Sequence, residues 1–264
     1  MSRKVVLSTI DERGVATLTL NRPEVHNAYD ERLIDELART LQRLGADRRV
    51  RVVILRGKGK HFQAGADLNC LRRLASATAE ENFDFSLRTT EMMRGLNAFP
   101  RPTIALVQGA CHGGGVGLVA CCDVAIATES ASFALTEVRW GVIPAPIVPQ
   151  LCAAMGVRSL RRYALSGERF TARVAERIGL IHEVCPEGGL DDAAAPIVDA
   201  LLQSAPDAAA ESKLLLLEQA GLQLSEQQVR SLALQAAAKR ASPEAAEGLQ
   251  SFQDKRRPAW YPSG

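Results

Sequence analysis

The chain is short of most features that would assign it to a specialised class. Charge of one sign is missing: 32 Lys and Arg stand against 30 Asp and Glu, a formal net charge of +2 scattered along the length. That balance argues against nucleic acid as a partner. Metal-ligand spacing is missing too. The six cysteines form no CxxC and the four histidines no HxxxH, so buried free thiols are expected and no metal site. The opening MSRKVVLSTIDERG reaches acidic residues by position 11 without an apolar run, so neither a signal segment nor a spanning helix is expected there, and the expected location is the cytoplasm. Linkers and low-complexity stretches are absent as well.

What remains is a 264-residue chain with 47% hydrophobic residues, enough to bury a sizeable core. Val5 to Ile10 and Val15 to Leu20 flank Asp11-Glu12-Arg13-Gly14 and predict a hairpin. Leu33, Ile34, Leu37, Leu41 and Leu44 fall on one face of a helix over 30–44. Strands are predicted at Val50 to Leu55, Thr103 to Val107 and Val124 to Thr128, giving strands separated by helices and so an α/β layering. After about Pro186 only helix punctuation remains: Pro206, a capping box of Ser225 with Gln228, and Ser242-Pro243-Glu244. Residues 1–200 are therefore read as the core with the site, and 201–264 as a helical region. Its leucines, Leu214 to Leu217, Leu222, Leu224, Leu232 and Leu234, serve either packing on the core or contact between subunits.

Two loops carry the chemistry. GKGKHFQAGADL, Gly57 to Leu68, leaves a strand through glycines and enters a helix near Asp67, leaving free backbone N–H groups near Ala66. QGACHGGGVGLVACCD follows the strand Thr103 to Val107, and its Gly113 to Gly115 let the backbone approach a ligand closely ahead of a helix through Cys121. Gly113, Gly115 and Gly117 do not make GxGxxG, and no suitably placed acidic residue completes a dinucleotide unit.

These segments, HFQAGADL and GACHGGGVGLVACCDVAIA, with FALTEVRWGVIP, EGLQSFQDKRRP and NRPEVHNA, resemble the crotonase (enoyl-CoA hydratase/isomerase) superfamily over nearly the whole chain. The resemblance implies a spiral of ββα units with a C-terminal helical trimerisation region, a homotrimer or dimer of trimers, and an acyl-CoA thioester as substrate. CoA arrives as part of the substrate and no separate cofactor is implied. It also implies that the amides of Ala66 and Gly114 hold the thioester oxygen. Negative charge develops there when water adds at C3 or a proton moves at C2, and fixed donors of this kind are worth about 2.7–4 kcal/mol each.

The two-carboxylate hydratases of this superfamily carry one Glu shortly after the GGG and a second further on. Here Gly117 stands at the first position and Glu137 at the second, so Glu137 alone matches as proton carrier, with Val138 and Trp140 as an apolar setting that would raise its pKa. Read without the resemblance, Glu137 is an ordinary surface carboxylate. The single-Glu pattern is shared by Δ3,Δ2-enoyl-CoA isomerases and by hydratases of 3-methylglutaconyl-CoA or isohexenylglutaconyl-CoA, and the stretch from Cys121 to Gly156 looks closer to the latter. A distal carboxylate would need a cation, and Arg139 is the candidate, two residues past Glu137, so that on a strand the two would share a face; a structural salt bridge is its alternative. His112 rivals Glu137 for proton chemistry. The resemblance further assigns CoA contacts to Val25, His26, Ala64, Asp67 and Leu68, and to Phe252 and Lys255 from a neighbouring subunit. Thioester hydrolysis, dehalogenation and a non-catalytic binding or scaffolding role stay open as other classes.

Overall fold

The computed structural model describes residues 4–262. β1 (Val6–Ile10) and β2 (Val15–Leu20) form the expected antiparallel hairpin. Asp30 then caps α1 (Glu31–Ala46), accepting the Leu33 N–H at 2.9 Å, an interaction generally worth about 1 kcal/mol. Leu33, Ile34, Leu37, Leu41 and Leu44 are all buried. Each contributes about 1.5–3 kcal/mol relative to an exposed position.

β3 (Val52–Gly57), β4 (Thr103–Val107) and β6 (Val124–Thr128) run parallel to β2, and β9 (Glu183–Cys185) closes the sheet in the order β1-β2-β3-β4-β6-β9. Both faces of this sheet are covered, which is why β4 is buried at every position and apolar from Ile104 onward. Ala105 and Val107 join the main core, while Ile104 and Leu106 point to a second core with Leu190, Ala194 and Val198 of α7 (Leu190–Gln203). The period of two along a strand sorts the residues between these two cores.

A second, three-stranded sheet joins β5 (Ala110–His112), β7 (Ser132–Ala134) and β8 (Phe170–Thr171) in the order β5-β7-β8. Between the strands lie α2 (Leu68–Ala75), α3 (Ala79–Asn97), α4 (Gly114–Ala120), α5 (Val148–Ser166) and α6 (Ala172–Arg177). All six cysteines are free, four of them buried. Burial pushes the Cys70 and Cys122 thiols up to about 12.

The tail forms α8 (Pro206–Gln219), α9 (Glu226–Arg240) and α10 (Pro243–Gln253). Ser225 and Gln228 make the capping box of α9, and Ser242 caps α10. α9 packs on α3 with Val229, Ala233, Ala236, Ala237 and Arg240 buried. Lys213 of α8 reaches back to Asp123 at 2.8 Å. Leu224 is buried, whereas Leu214, Leu215 and Leu216 stay 42%, 57% and 70% exposed on α8.

Candidate active site

The two glycine loops are stitched together before they meet anything else. Gln63 pairs with Cys111 in a parallel bridge, its N–H donating to the Ala110 carbonyl at 3.2 Å and its carbonyl accepting the His112 N–H at 2.9 Å. The fully buried Gln63 side chain accepts the Gly65 N–H and donates to the Gly65 carbonyl, both at 2.8 Å. Gly65 lies at φ +89°, with the His112 carbonyl 3.3 Å from where a Cβ would stand. A side chain there would be strained and would push the loops apart.

Gly113 spends its N–H on the Ala134 carbonyl at 2.8 Å. The amides of Ala66 and Gly114 donate to no acceptor among the described residues. Both residues lie on the wall of one cavity of about 380 Å³. Gly114 opens α4, so its free N–H sits at the positive end of the helix.

Glu137 lines the same cavity. Its Oε1 comes within 3.0 Å of the position a Cβ would take on Gly113. Its Oε2 is buried and has no hydrogen-bond partner among the described residues. Burial pushes the carboxyl up to about 7, so it exchanges a proton near neutral pH. The local backbone is not a strand. Glu137–Trp140 is a 3-10 turn ended by Gly141 at φ +68°. Glu137 and Arg139 therefore do not share a strand face, although both reach the cavity; Arg139 is exposed and leans on Gly167.

Gly117, where a second carboxylate would stand by the resemblance, is filled from outside its own helix. A Cβ on it would lie 2.2 Å from Cγ2 of Ile147. His112 also lines the cavity; burial, aided by the nearby Arg169 charge, lowers its pKa to about 4, leaving it neutral at pH 7.

Of the residues expected to hold CoA, Ala64, Leu68 and Phe252 are on the cavity wall. Val25, His26, Asp67 and Lys255 are not. His26 supports the site indirectly, its carbonyl accepting the Ala64 N–H at 3.0 Å, and Asp67 caps α2 and pairs with Arg22 at 3.4 Å. Phe252, expected from a neighbouring subunit, reaches the cavity of its own chain because α10 folds back beside the 3-10 turn. Its ring stands edge-on to Trp140, with centroids 5.0 Å apart.

Among the wall residues that the sequence did not single out, two bear on the chemistry. Tyr29 packs its ring against Gly114, with Cε1 2.4 Å from the Cβ position; burial, and then the Glu137 charge, raise its pKa, so its hydroxyl stays protonated. Arg240 enters from α9. The polar Tyr in NRPEVHNAYD just before a capped helix is a local signal for the first. For the second, the sequence shows only a basic residue at a helix end, which ordinarily reads as a dipole partner.

The family model described as enoyl-CoA hydratase/isomerase matches residues 11–262. A putative enoyl-CoA hydratase of Thermus thermophilus is 34% identical over 249 residues, covering 94% of this chain and 98% of that one. The 2,3-dehydroadipyl-CoA hydratase of Escherichia coli is 32% identical, with 94% and 95% covered. The crystal structure of an enoyl-CoA hydratase from Shewanella pealeana is 40% identical, covers 97% of this chain and 96% of its own, and superposes with a TM-score of 0.79.

Proposed function

This chain belongs to the enoyl-CoA hydratase/isomerase family, and within it we propose that it adds water to an enoyl-CoA thioester bearing a branched, carboxylated acyl group of the 3-methylglutaconyl or isohexenylglutaconyl type. The observation that carries the reading is one cavity holding two unspent amides, Ala66 and Gly114, beside a buried carboxyl with a free oxygen, Glu137.

Glu137 takes a proton from water as the water oxygen bonds to C3. The C2=C3 electron pair moves onto the thioester oxygen, where the two amides stabilise the enolate. Glu137 then returns the proton to C2 and the carbonyl reforms. A carboxyl with a pKa of about 7 suits both halves of this cycle. With Ile147 in the space of a second carboxylate, one group serves both proton transfers. CoA enters and leaves with the acyl group, and the sequence of steps calls for no further cofactor.

Support for a carboxylated acyl group comes from charge. Arg139, Arg169 and Arg240 line the cavity, Glu137 is its one carboxylate, and none of the three arginines forms an ion pair among the described residues. The exposed leucines of α8 support assembly through that helix, as a homotrimer or a dimer of trimers.

The test is a panel of crotonyl-, 3-enoyl-, 3-methylglutaconyl- and isohexenylglutaconyl-CoA, assayed for water addition and for double-bond shift with wild type and Glu137→Gln. Water addition to the glutaconyl esters should dominate, and the variant should lose about a hundred- to ten-thousand-fold in kcat. Double-bond shift without water addition would make the chain an isomerase instead, and near-normal hydration by Glu137→Gln would end the mechanism.

A further inference from the structure

Arg240 is 6% exposed, a cation taken almost wholly out of water. A buried guanidinium is ordinarily paired with a carboxylate. Here no Asp or Glu oxygen among the described residues lies within ion-pair distance of it. Its protein acceptors are neutral and all sit on α3. Nη1 donates to Oδ1 of Asn82, to the Asn82 carbonyl at 3.3 Å and to Oγ of Ser86 at 3.1 Å.

The other two nitrogens are left over. Among the described residues Nε is buried without a partner. Nη2 likewise donates to none of them and, unlike Nε, is not sealed from solvent. Arg240 lines the cavity, and Nη2 is the guanidinium nitrogen that keeps both solvent access and a donor to spare.

The side chain is packed as well as hydrogen-bonded. Asn82 also donates to the Ala237 carbonyl at 2.8 Å, tying α3 to α9 on either side of the guanidinium. The Phe85 ring lies beneath it, with its centroid 5.1 Å from Cζ. Burial lowers the pKa of Arg240, yet a guanidinium keeps its charge at neutral pH. Arg139 and Arg169, by contrast, are exposed and hydrated, so an anion gains less from meeting them.

We propose that Arg240 is the specificity residue of the cavity, its unpaired face of the guanidinium receiving the carboxylate at the far end of the acyl chain, so that the enzyme selects acyl-CoA thioesters with a terminal carboxylate over uncharged ones of similar length. The proposal rests on the acyl-thioester reading of the cavity, and replaces Arg139 with Arg240 as the principal cation for that group.

The experiment uses saturated thioesters, which bind without reacting. The Kd values of glutaryl-CoA and butyryl-CoA, and of adipyl-CoA and hexanoyl-CoA, are measured by calorimetry on wild type, Arg240→Met, Arg240→Gln and Arg139→Leu. Wild type should prefer the carboxylated member of at least one pair by about 10- to 100-fold, the range of a hydrogen bond to a charged group. Both Arg240 variants should bring that ratio close to one, while Arg139→Leu largely retains it. Arg240→Gln keeps a donor for Asn82, so the comparison stands even if Arg240→Met does not fold.

A wild-type ratio near one overturns the proposal. So does a ratio that survives both substitutions of Arg240, or one that collapses in Arg139→Leu instead. The hydratase reading fails separately. A preference that depends on Arg240 without water addition to any enoyl thioester would sink that reading alone, and water addition with no preference for carboxylated chains would sink only the Arg240 assignment.

Discussion

The cavity has two walls built by different means. One is the pair of glycine loops, where short-range rules set almost everything: strand ends, positive φ at Gly65 and Gly113, and amides left over at a helix start. The other is assembled from Tyr29, α3, Ile147 and α9, elements far apart along the chain. In the proposed mechanism, the first wall holds the charge that develops in the thioester enolate, and the second decides which acyl group and which proton carriers are admitted. On that proposal the general chemistry lies in local backbone geometry and the selectivity in long-range packing.

The sharpest way to break the first wall is Gly114→Ala. Its new Cβ would stand 2.4 Å from the Tyr29 ring, so the amide must move off its aim. The loss of one such donor should lower kcat by about a hundred- to a thousand-fold, and the overpacking should cost about 1–3 kcal/mol of stability. Steady-state kinetics beside a thermal melt would separate the two effects.

Where the walls meet, Glu137 offers a stability test. Its pKa is raised from 4.5 to about 7 by burial, so the protonated form favours the fold. That contribution is complete below pH 4.5 and is lost as pH rises through 7. Glu137→Gln should therefore stabilise the protein at pH 8 by up to about 3 kcal/mol, at about 1.4 kcal/mol for each pKa unit, and by almost nothing at pH 4. Denaturant titrations at the two pH values check the sign. In the same range kcat/KM of wild type should rise with pH and level off above about 7.

The second wall is probed by Gly117→Ala, which puts a methyl group 2.2 Å from Ile147. Overpacking of this kind costs about 1–3 kcal/mol. Ile147→Ala should relieve that cost in the double variant, and a double-mutant cycle would show coupling of about 0.5–3 kcal/mol; strict additivity would mean that the two side chains do not compete for the space. The smallest effect is expected at the cap of α9. Ser225→Ala removes the acceptor for the Gln228 N–H and should cost about 1 kcal/mol, shifting the whole chain's melt rather than the amide wall alone.

Much of this was legible in the chain itself, and for a specific reason. The hairpin, α1, β4 and β6 follow from periodicity, and the start points of α8, α9 and α10 from proline and capping residues. α3 was not legible. Asn82, Ser86, Thr89 and Thr90 are buried on its inner side, so its apolar stripe is interrupted by polar residues whose partners lie on α9 or one turn back. The 3-10 turn at Glu137 was missed because Val138 and Trp140 alternate with polar neighbours as a strand would. Phe252 was assigned to a neighbouring subunit, and only the path of α10 brings it to its own chain's cavity.

The sequence by itself determined the glycine loops, the lone Glu137 and the missing carboxylate at Gly117, because backbone freedom and side-chain identity are properties of single positions. Tertiary structure alone decided that Ile147 occupies the space at Gly117, that burial lifts Glu137 toward neutral pH, and that Arg240 lines the cavity with no carboxylate partner among the described residues. Desolvation and pairing depend on which distant residues arrive around a group, and no single position carries that information.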